Sequence, residues 1–320
     1  MTAPYATRFL RLWGGQPNSI GALLPFPETR QPARHIAPRE DRTTGNPGMA
    51  KAKVEVAGVS HEFYDSNRQS AIKALSNINI TINEQEFACI LGPSGCGKST
   101  LLNIIAGFMK PTQGHVALDG KEVTRPGPDR AMVFQEQALF PWLTVEGNVE
   151  FGLEMQGLQK KERKPIAKKY IELVDLRGFE DRYPFELSGG MKQRLGLARS
   201  LAIDPHVLLL DEPFAALDAQ ARRIMQEELL MILSKTKKTS ILVTHSIDEA
   251  VFLADRLVVL SARPGTILLN EVIQLPRPRS RADQGFVRMA GKIDDMIRVE
   301  VNKAAGKEVP IGEARAGSIE

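Results

Sequence analysis

The feature of this sequence that most constrains its fold is a glycine-rich run between an apolar stretch and a predicted helix. Residues 92–99 are GPSGCGKS and fit the phosphate-loop pattern G-x-x-x-x-G-K-[ST]. The preceding run Phe87–Leu91 predicts a short buried strand, and Leu101–Phe108 predicts a buried helix. A strand, such a loop and a helix in this order predict an α/β fold that binds a nucleoside triphosphate.

Each part of this phosphate loop (residues 92–99) has a physical role. Glycines let backbone N–H groups point at phosphate oxygens, and the positive end of the following helix adds to the attraction. Lys98 would place its charge on the β- and γ-phosphates, and the Ser99 hydroxyl would ligate Mg²⁺. Because Cys96 lies among these amides, we expect its thiolate to be favoured. The predicted nucleotide-binding residues here are Gly92, Pro93, Ser94, Gly95, Cys96, Gly97, Lys98, Ser99 and Thr100.

Carboxylates follow a second apolar run. Residues 207–210 predict a buried parallel strand ending at Asp211, a position from which a carboxylate holds Mg²⁺ directly or through water. Glu212 comes next, and a carboxylate beside the γ-phosphate can accept a proton from the attacking water. Two surface acids at the end of a strand are the structural alternative. A further apolar strand, 241–243, stops at Thr244 and His245.

A third motif, residues 187–194 (LSGGMKQR), distinguishes between classes of phosphate-loop proteins. A serine and two glycines that open a helix make a second anion-binding cradle. Between the phosphate loop and Asp211, this motif resembles the signature of the ATP-binding subunits of ABC transporters. The resemblance implies that two copies of the chain enclose two ATP molecules with Mg²⁺. The signature residues that would serve the second copy's ATP are Ser188, Gly189, Gly190 and Gln193.

The remaining positions of that family match one by one. Gln135 stands where the family's glutamine contacts Mg²⁺ and water, and Asp218 stands in the loop along the dimer interface. His245 matches the histidine that contacts the γ-phosphate and positions the water. Phe63 falls where an aromatic ring stacks on adenine, with Tyr64 as its competitor. The resemblance thus implies the catalytic residues Glu212, His245, Gln135 and Lys98 and the magnesium ligands Ser99, Gln135 and Asp211.

The resemblance also implies the organisation of the chain. We expect a P-loop NTPase cassette over 53–262, with a RecA-like core sheet, an antiparallel β subdomain and an inserted helical subdomain at about 136–200. Residues 1–52 contain proline and arginine without a sustained period, which predicts a disordered tail. Residues 263–320 predict a C-terminal extension with an amphipathic helix. No stretch approaches the ~18 consecutive apolar residues that a membrane span requires.

Three short segments of the sequence indicate which class of ABC ATPase it resembles. Residues 140–145 (FPWLTV), 261–265 (SARPG) and 275–279 (LPRPR) resemble the nitrate/sulfonate/taurine group of bacterial importers, whereas Glu146 and Gly147 depart from it. Exporters usually carry a fused membrane domain, and sugar importers carry a longer C-terminal domain. This sequence shows neither feature, so we do not expect it to belong to either class. A phosphate-loop kinase is excluded by the signature and by Glu212. An ABC ATPase of a regulatory or repair system is the alternative.

Membership of this importer group implies a motor for small-anion uptake. Its partners would be transmembrane permease subunits, a second copy of the chain and, indirectly, a periplasmic substrate-binding protein, with no nucleic acid. The chain would lie peripherally on the cytoplasmic side of the inner membrane. We expect the apolar run Leu139–Trp142 to dock a helix of the permease.

Overall fold

The computed structural model describes residues 51–65, 70–136 and 138–304. Most of the predicted tail, residues 1–50, lies outside them. The strands are β1 (Ala52–Asp65), β2 (Ser70–Asn83), β3 (Phe87–Leu91), β4 (Gln113–Leu118), β5 (Lys121–Glu122), β6 (Arg130–Val133), β7 (Val207–Asp211), β8 (Thr239–Thr244), β9 (Arg256–Leu260) and β10 (Ile267–Val272). The helices are α1 (Lys98–Ala106), α2 (Val145–Met155), α3 (Lys160–Leu173), α4 (Gly189–Ala202), α5 (Ala219–Thr236), α6 (Ile247–Leu253) and α7 (Gln284–Ala304).

The central sheet has six strands in the order β10-β9-β3-β8-β7-β6. All neighbouring pairs are parallel except β9 and β10. The register pairs Leu91 with Thr244 and Asp211 with Val243, so strands β3, β7 and β8 end along one line. This line, the carboxyl edge, is where open α/β sheets bind ligands. The predicted α/β class with buried parallel strands is confirmed.

Both faces of the central sheet are buried, which explains its uninterrupted apolar strands. Ile90 and Leu209 belong to an apolar cluster that includes α1 and the inner face of the second sheet. Leu91 and Leu210 belong to a cluster that includes α4, α5 and α6. Successive residues of one strand therefore pack into different layers.

The second sheet is antiparallel, with the order β2-β1-β4-β5. Ile78, Ile80 and Ile82 on β2 are buried and alternate with exposed residues, as a sheet with one covered face requires. The chain between β6 and β7 contains helices α2, α3 and α4. Within the described residues, none of the helices combines the length and apolar character needed to cross a membrane.

The loop that precedes α2 is held by a buried asparagine. Asn148 donates from Nδ2 to the carbonyl oxygens of Phe140, Leu143 and Thr144 at 3.1, 3.0 and 3.0 Å, and its Oδ1 accepts the N–H of Phe140 at 2.9 Å. The Thr144 hydroxyl caps the helix by accepting the Gly147 N–H. The run 140–145 is therefore fixed to the helix that follows it.

Candidate nucleotide-binding site

The phosphate loop joins β3 to α1 and is curled around the side chain of Lys98. Its ammonium donates to the carbonyl oxygens of Gly92 and Pro93 at 2.8 and 3.0 Å. Helix α1 begins at Lys98, and its N-cap Gly97 has a left-handed conformation with φ 102°, which glycine adopts without strain. A Cβ on Gly97 would lie 2.7 Å from the side chain of Leu75, so only glycine fits. The loop places the lysine and the helix N-terminus together, as phosphate binding requires.

The expectation that Cys96 favours its thiolate is wrong. Its side chain is 1% exposed and belongs to the apolar cluster beneath the loop. Burial raises the pKa of the thiol, and this effect exceeds the opposing influence of Lys98 and nearby N–H groups. The loop has two faces, and the Cys96 side chain occupies the inner one, whereas Ser94 and Gly95 are exposed.

Ser99 on α1 and Asp211 at the end of β7 place two oxygen atoms that can bind a metal close together. The Ser99 hydroxyl donates to Oδ1 of Asp211 at 3.2 Å. Burial, and then the charge of Glu212, raise the pKa of Asp211 against the lowering effects of Ser99 and Lys98. Gln135 and Asp211 line one recess. Mg²⁺ prefers such oxygen ligands, and a partly buried carboxylate gains from a nearby cation. Ser99, Gln135 and Asp211 therefore fit a magnesium ion.

Glu212 and Asp211 are adjacent in sequence and face different partners. Glu212 has φ 44°, a left-handed conformation, and its N–H donates to the carbonyl oxygen of Val243 at 3.0 Å. Its Oε2 lies 3.0 Å from Nδ1 of His245, so an ionised Glu212 accepts a hydrogen bond from the imidazole. The His245 side chain is 58% exposed, which leaves the rest of its ring open to a ligand.

Behind His245 lies a buried network that the sequence analysis missed. The Thr244 hydroxyl donates to Oε2 of Glu249 at 2.6 Å and accepts the N–H of Ser246 at 3.0 Å. Glu249 is 5% exposed, and Nε of Arg222 lies 3.8 Å from its other carboxylate oxygen. Burial is the main reason that the pKa of Glu249 is raised. One signal could have revealed it, because two acids, Asp248 and Glu249, stand in the first turn of a short and otherwise apolar helix just after His245.

The signature lies at the start of α4. Ser188 is its N-cap and accepts the Met191 N–H at 3.3 Å, and a Cβ on Gly190 would meet nothing within 4 Å. Ser188 and Gly189 are exposed, but Gln193 is 3% exposed. One turn into the helix, Gln193 lies where α4 packs against the central sheet. Its role as a contact to a second copy's ATP stays a prediction.

Two further predicted residues are accessible. Asp218 caps α5, because its Oδ1 accepts the N–H groups of Gln220 and Ala221 at 3.0 and 2.9 Å. Phe63 is 42% exposed near the end of β1, and its ring contacts His61 edge to face. Tyr64, the competing aromatic residue, is 71% exposed. Both aromatic rings can receive a flat ligand, so the choice between them stays a prediction.

Comparison with known proteins matches this chain to ATP-binding proteins of ABC transporters. A family profile described as ABC transporter matches residues 75–215. An uncharacterized ABC transporter ATP-binding protein of Methanocaldococcus jannaschii is 55% identical over 255 residues, which are 79% of this chain and 94% of the relative. A nitrate import ATP-binding protein of Synechocystis is 47% identical, with 74% and 94% covered. An aliphatic sulfonates import ATP-binding protein of Bacillus cereus is 46% identical, with 75% and 94% covered.

The fold has a match among solved structures. A dimeric ATP-binding cassette in a post-hydrolysis state, bound to ADP and phosphate, superimposes with a TM-score of 0.61 at 32% identity. The match covers 70% of this chain and 100% of that cassette.

Proposed function

Because the chain belongs to the ABC transporter family and is an ATPase of transport systems, we propose that it is the motor of a bacterial importer for a small anion. In this proposal, ATP binding and hydrolysis by a dimer of cassettes drive uptake through separate permease subunits. The observation that carries the catalytic part is the pair of Glu212 and His245 beside Ser99 and Asp211 on the carboxyl edge.

The roles of the residues follow from their positions. Lys98 exchanges its two loop carbonyls for phosphate oxygens, because an ammonium binds anionic oxygens more strongly than neutral ones. Ser99, Gln135 and Asp211 would hold Mg²⁺, which supplies positive charge to the phosphates when bound. Glu212 accepts a proton from the attacking water, and His245 orients the Glu212 carboxylate through Nδ1.

A second copy would complete the site. At this helix N-terminus Ser188 and Gly189 are exposed and Gly190 is half-buried, and its N–H groups and positive dipole end suit the γ-phosphate held by another chain. The related cassette of known structure is dimeric and carries ADP and phosphate. We therefore propose a homodimer in which each signature faces the other chain's nucleotide and Asp218 lies along the interface.

Attachment to a permease is proposed at Leu139–Trp142. Trp142 is 66% exposed, and the ring of Phe140 lies 5.6 Å from it and 4.3 Å from the ring of Phe151. This apolar surface adjoins the recess of Gln135, so a helix docked here would respond to nucleotide. The motor would thereby bind peripherally to the cytoplasmic side of the inner membrane.

The proposed cargo follows from relatives named for the import of nitrate and of aliphatic sulfonates. Uptake also requires a periplasmic substrate-binding protein, which would deliver the anion to the permease.

The test is uptake by proteoliposomes that contain this chain and its permease, with ATP inside and the receptor outside. We expect accumulation of labelled nitrate or an alkanesulfonate, and loss of uptake with Lys98→Ala. A receptor that binds sugars or peptides would overturn the anion assignment. ATPase activity indifferent to the permease would overturn the motor role.

A further inference from the structure

The apex of the phosphate loop is contacted by a segment distant in sequence. Residues 261–265, the SARPG run, follow β9 directly. Nε of Arg263 donates to the carbonyl oxygen of Gly95 at 3.1 Å across a separation of 168 residues. Gly265 lies close to the next residue of the loop, because a Cβ there would clash with the carbonyl oxygen of Cys96. The segment and the loop therefore touch at two successive residues.

The segment is held rigidly against the rest of the protein. The N–H of Gly265 donates to Ala74 at 2.8 Å, and its carbonyl oxygen accepts the N–H of Ser76 at 2.9 Å. Within the segment, the Ser261 hydroxyl oxygen accepts the N–H of Thr266 at 2.8 Å. It also lies 3.0 Å from the carbonyl oxygens of Ala262 and Pro264. Arg263 is thus presented from a preorganised loop rather than a flexible one.

Helix α7 supports the same segment from the other side. Oε2 of Glu300 accepts the N–H of Ala262 at 3.3 Å, and Glu300 is 9% exposed. The C-terminal extension therefore reaches the residue next to Arg263.

The guanidinium group carries its charge to the surface of the loop. Arg263 is exposed, and its Nη2 lies 3.6 Å from the position of a Cβ on Gly95. Its charge is among the influences that oppose the rise in the Cys96 pKa. A guanidinium has five N–H donors, and the bond to Gly95 uses the one on Nε. Nη2 therefore lies beside the exposed apex of the loop that is proposed to bind the polyphosphate.

We propose that Arg263 is a nucleotide-affinity residue that orients the Gly95 peptide and adds a second positive charge, after Lys98, for the polyphosphate. The Gly95 carbonyl and the Cys96 N–H belong to one peptide plane, so a carbonyl oxygen fixed by Arg263 also fixes the direction of this single N–H at the apex of the loop. Both effects act on the bound nucleotide before any bond breaks, so they stabilise ATP and ADP complexes alike and leave the hydrolytic step unchanged. The inference rests on the proposed nucleotide site.

The experiment measures dissociation constants of MgATP and MgADP by calorimetry. Because Arg263→Ala removes both the positive charge and the hydrogen bond to Gly95, we expect about tenfold weaker binding of both nucleotides in this variant. The dissociation constants of Arg263→Gln and Arg263→Lys should fall between those of Arg263→Ala and wild type. Glutamine keeps a hydrogen-bond donor, and lysine keeps the charge. Arg263→Gln should also show a shallower salt dependence of binding. The turnover number at saturating ATP should stay within about twofold.

The matched control is Arg288→Gln, which removes an equal charge from an exposed position on α7. It should bind nucleotide like wild type. Unchanged dissociation constants in Arg263→Ala, Gln and Lys, or an equal loss in Arg288→Gln, would overturn the inference. A lower urea midpoint in all three Arg263 variants would show a merely structural role. The proposed function fails separately if wild-type protein binds no MgATP or if Lys98→Ala binds as well as wild type.

Discussion

Nδ1 of His245 lies 3.0 Å from Oε2 of Glu212, which joins the ends of strands β7 and β8 through two side chains. In the proposed mechanism Glu212 accepts the proton and His245 orients its carboxylate, so loss of either function should affect hydrolysis more than binding. Glu212→Gln is expected to bind MgATP and to hydrolyse it at least about a hundredfold more slowly, since an amide cannot accept the proton.

The same variant should accumulate as an ATP-bound dimer, because hydrolysis would no longer separate the two copies. Sizing columns run with MgATP would detect the shift in mass. Lys98→Ala serves as the control, since it should bind nucleotide poorly and remain monomeric in the same buffer. Near-normal turnover of Glu212→Gln would contradict the role of Glu212.

Ser188 is expected to act on the nucleotide of the other chain. A mixed dimer of Lys98→Ala and Ser188→Arg retains one intact composite site, whereas the second site loses both halves. Homodimers of either variant contain no intact site. ATPase activity should therefore appear on mixing two inactive preparations. If mixing restores no activity, both halves act within a single chain.

Cys96 should resist alkylation in the folded protein. Its pKa is raised and its side chain is buried, so both the thiolate fraction and the access of reagent are low at neutral pH. Cys89 is buried as well, and burial raises its pKa well above the usual value. Mass spectrometry after iodoacetamide treatment should find both thiols unmodified until urea unfolds the chain. Rapid labelling of Cys96 in native protein would refute the assignment of its side chain to the interior.

Glu249 should hold the segment that bears His245. Glu249→Ala leaves the buried Thr244 hydroxyl without its acceptor, and we expect about tenfold slower hydrolysis. Glu249→Gln keeps an acceptor oxygen and should hydrolyse ATP nearly as wild type does. Equal losses of activity in both variants would contradict this positioning role.

The raised pKa of Glu249 also predicts a pH effect on stability. Since the folded state holds this proton more tightly than the unfolded state, the free energy of unfolding should fall as pH rises above 4.5, the ordinary value, toward the folded-state pKa. Glu249→Gln lacks this titration. The urea midpoint of Glu249→Gln should therefore rise relative to that of wild type as the pH increases from acid to neutral. A difference between the two midpoints that stays constant with pH would contradict the prediction.

Trp142 should be needed for binding to the permease but not for ATP hydrolysis. Trp142→Asp is expected to abolish co-purification with the permease, because it places a charge in the apolar contact, and to leave basal ATPase activity within about threefold. Val287→Asp adds the same charge at a half-exposed apolar position on α7 and should retain the permease. Retention of the permease by Trp142→Asp would refute this docking surface.

The parts of the candidate site that lie within one short segment could be predicted from the sequence. The phosphate loop, Asp211 and the signature each follow from spacing along one short segment, and the strands around them follow from uninterrupted apolar runs. Cys96 was misjudged because the pattern gives the loop's composition but not which face of the loop each side chain occupies. Arg263 and Gly95 are 168 residues apart, and their contact depends on how β9 leads back to the loop. Such a contact has no signal along the chain.

The left-handed backbone at Glu212 has a consequence for how the sequence can evolve. For a residue with a Cβ, this conformation costs about 1–2 kcal/mol, whereas glycine adopts it freely and asparagine tolerates it. Selection for a stable fold alone would therefore favour glycine or asparagine immediately after Asp211. Folding and turnover thus make opposing demands on a single residue. The most stable versions of this protein should be found among those that have lost the ability to hydrolyse ATP.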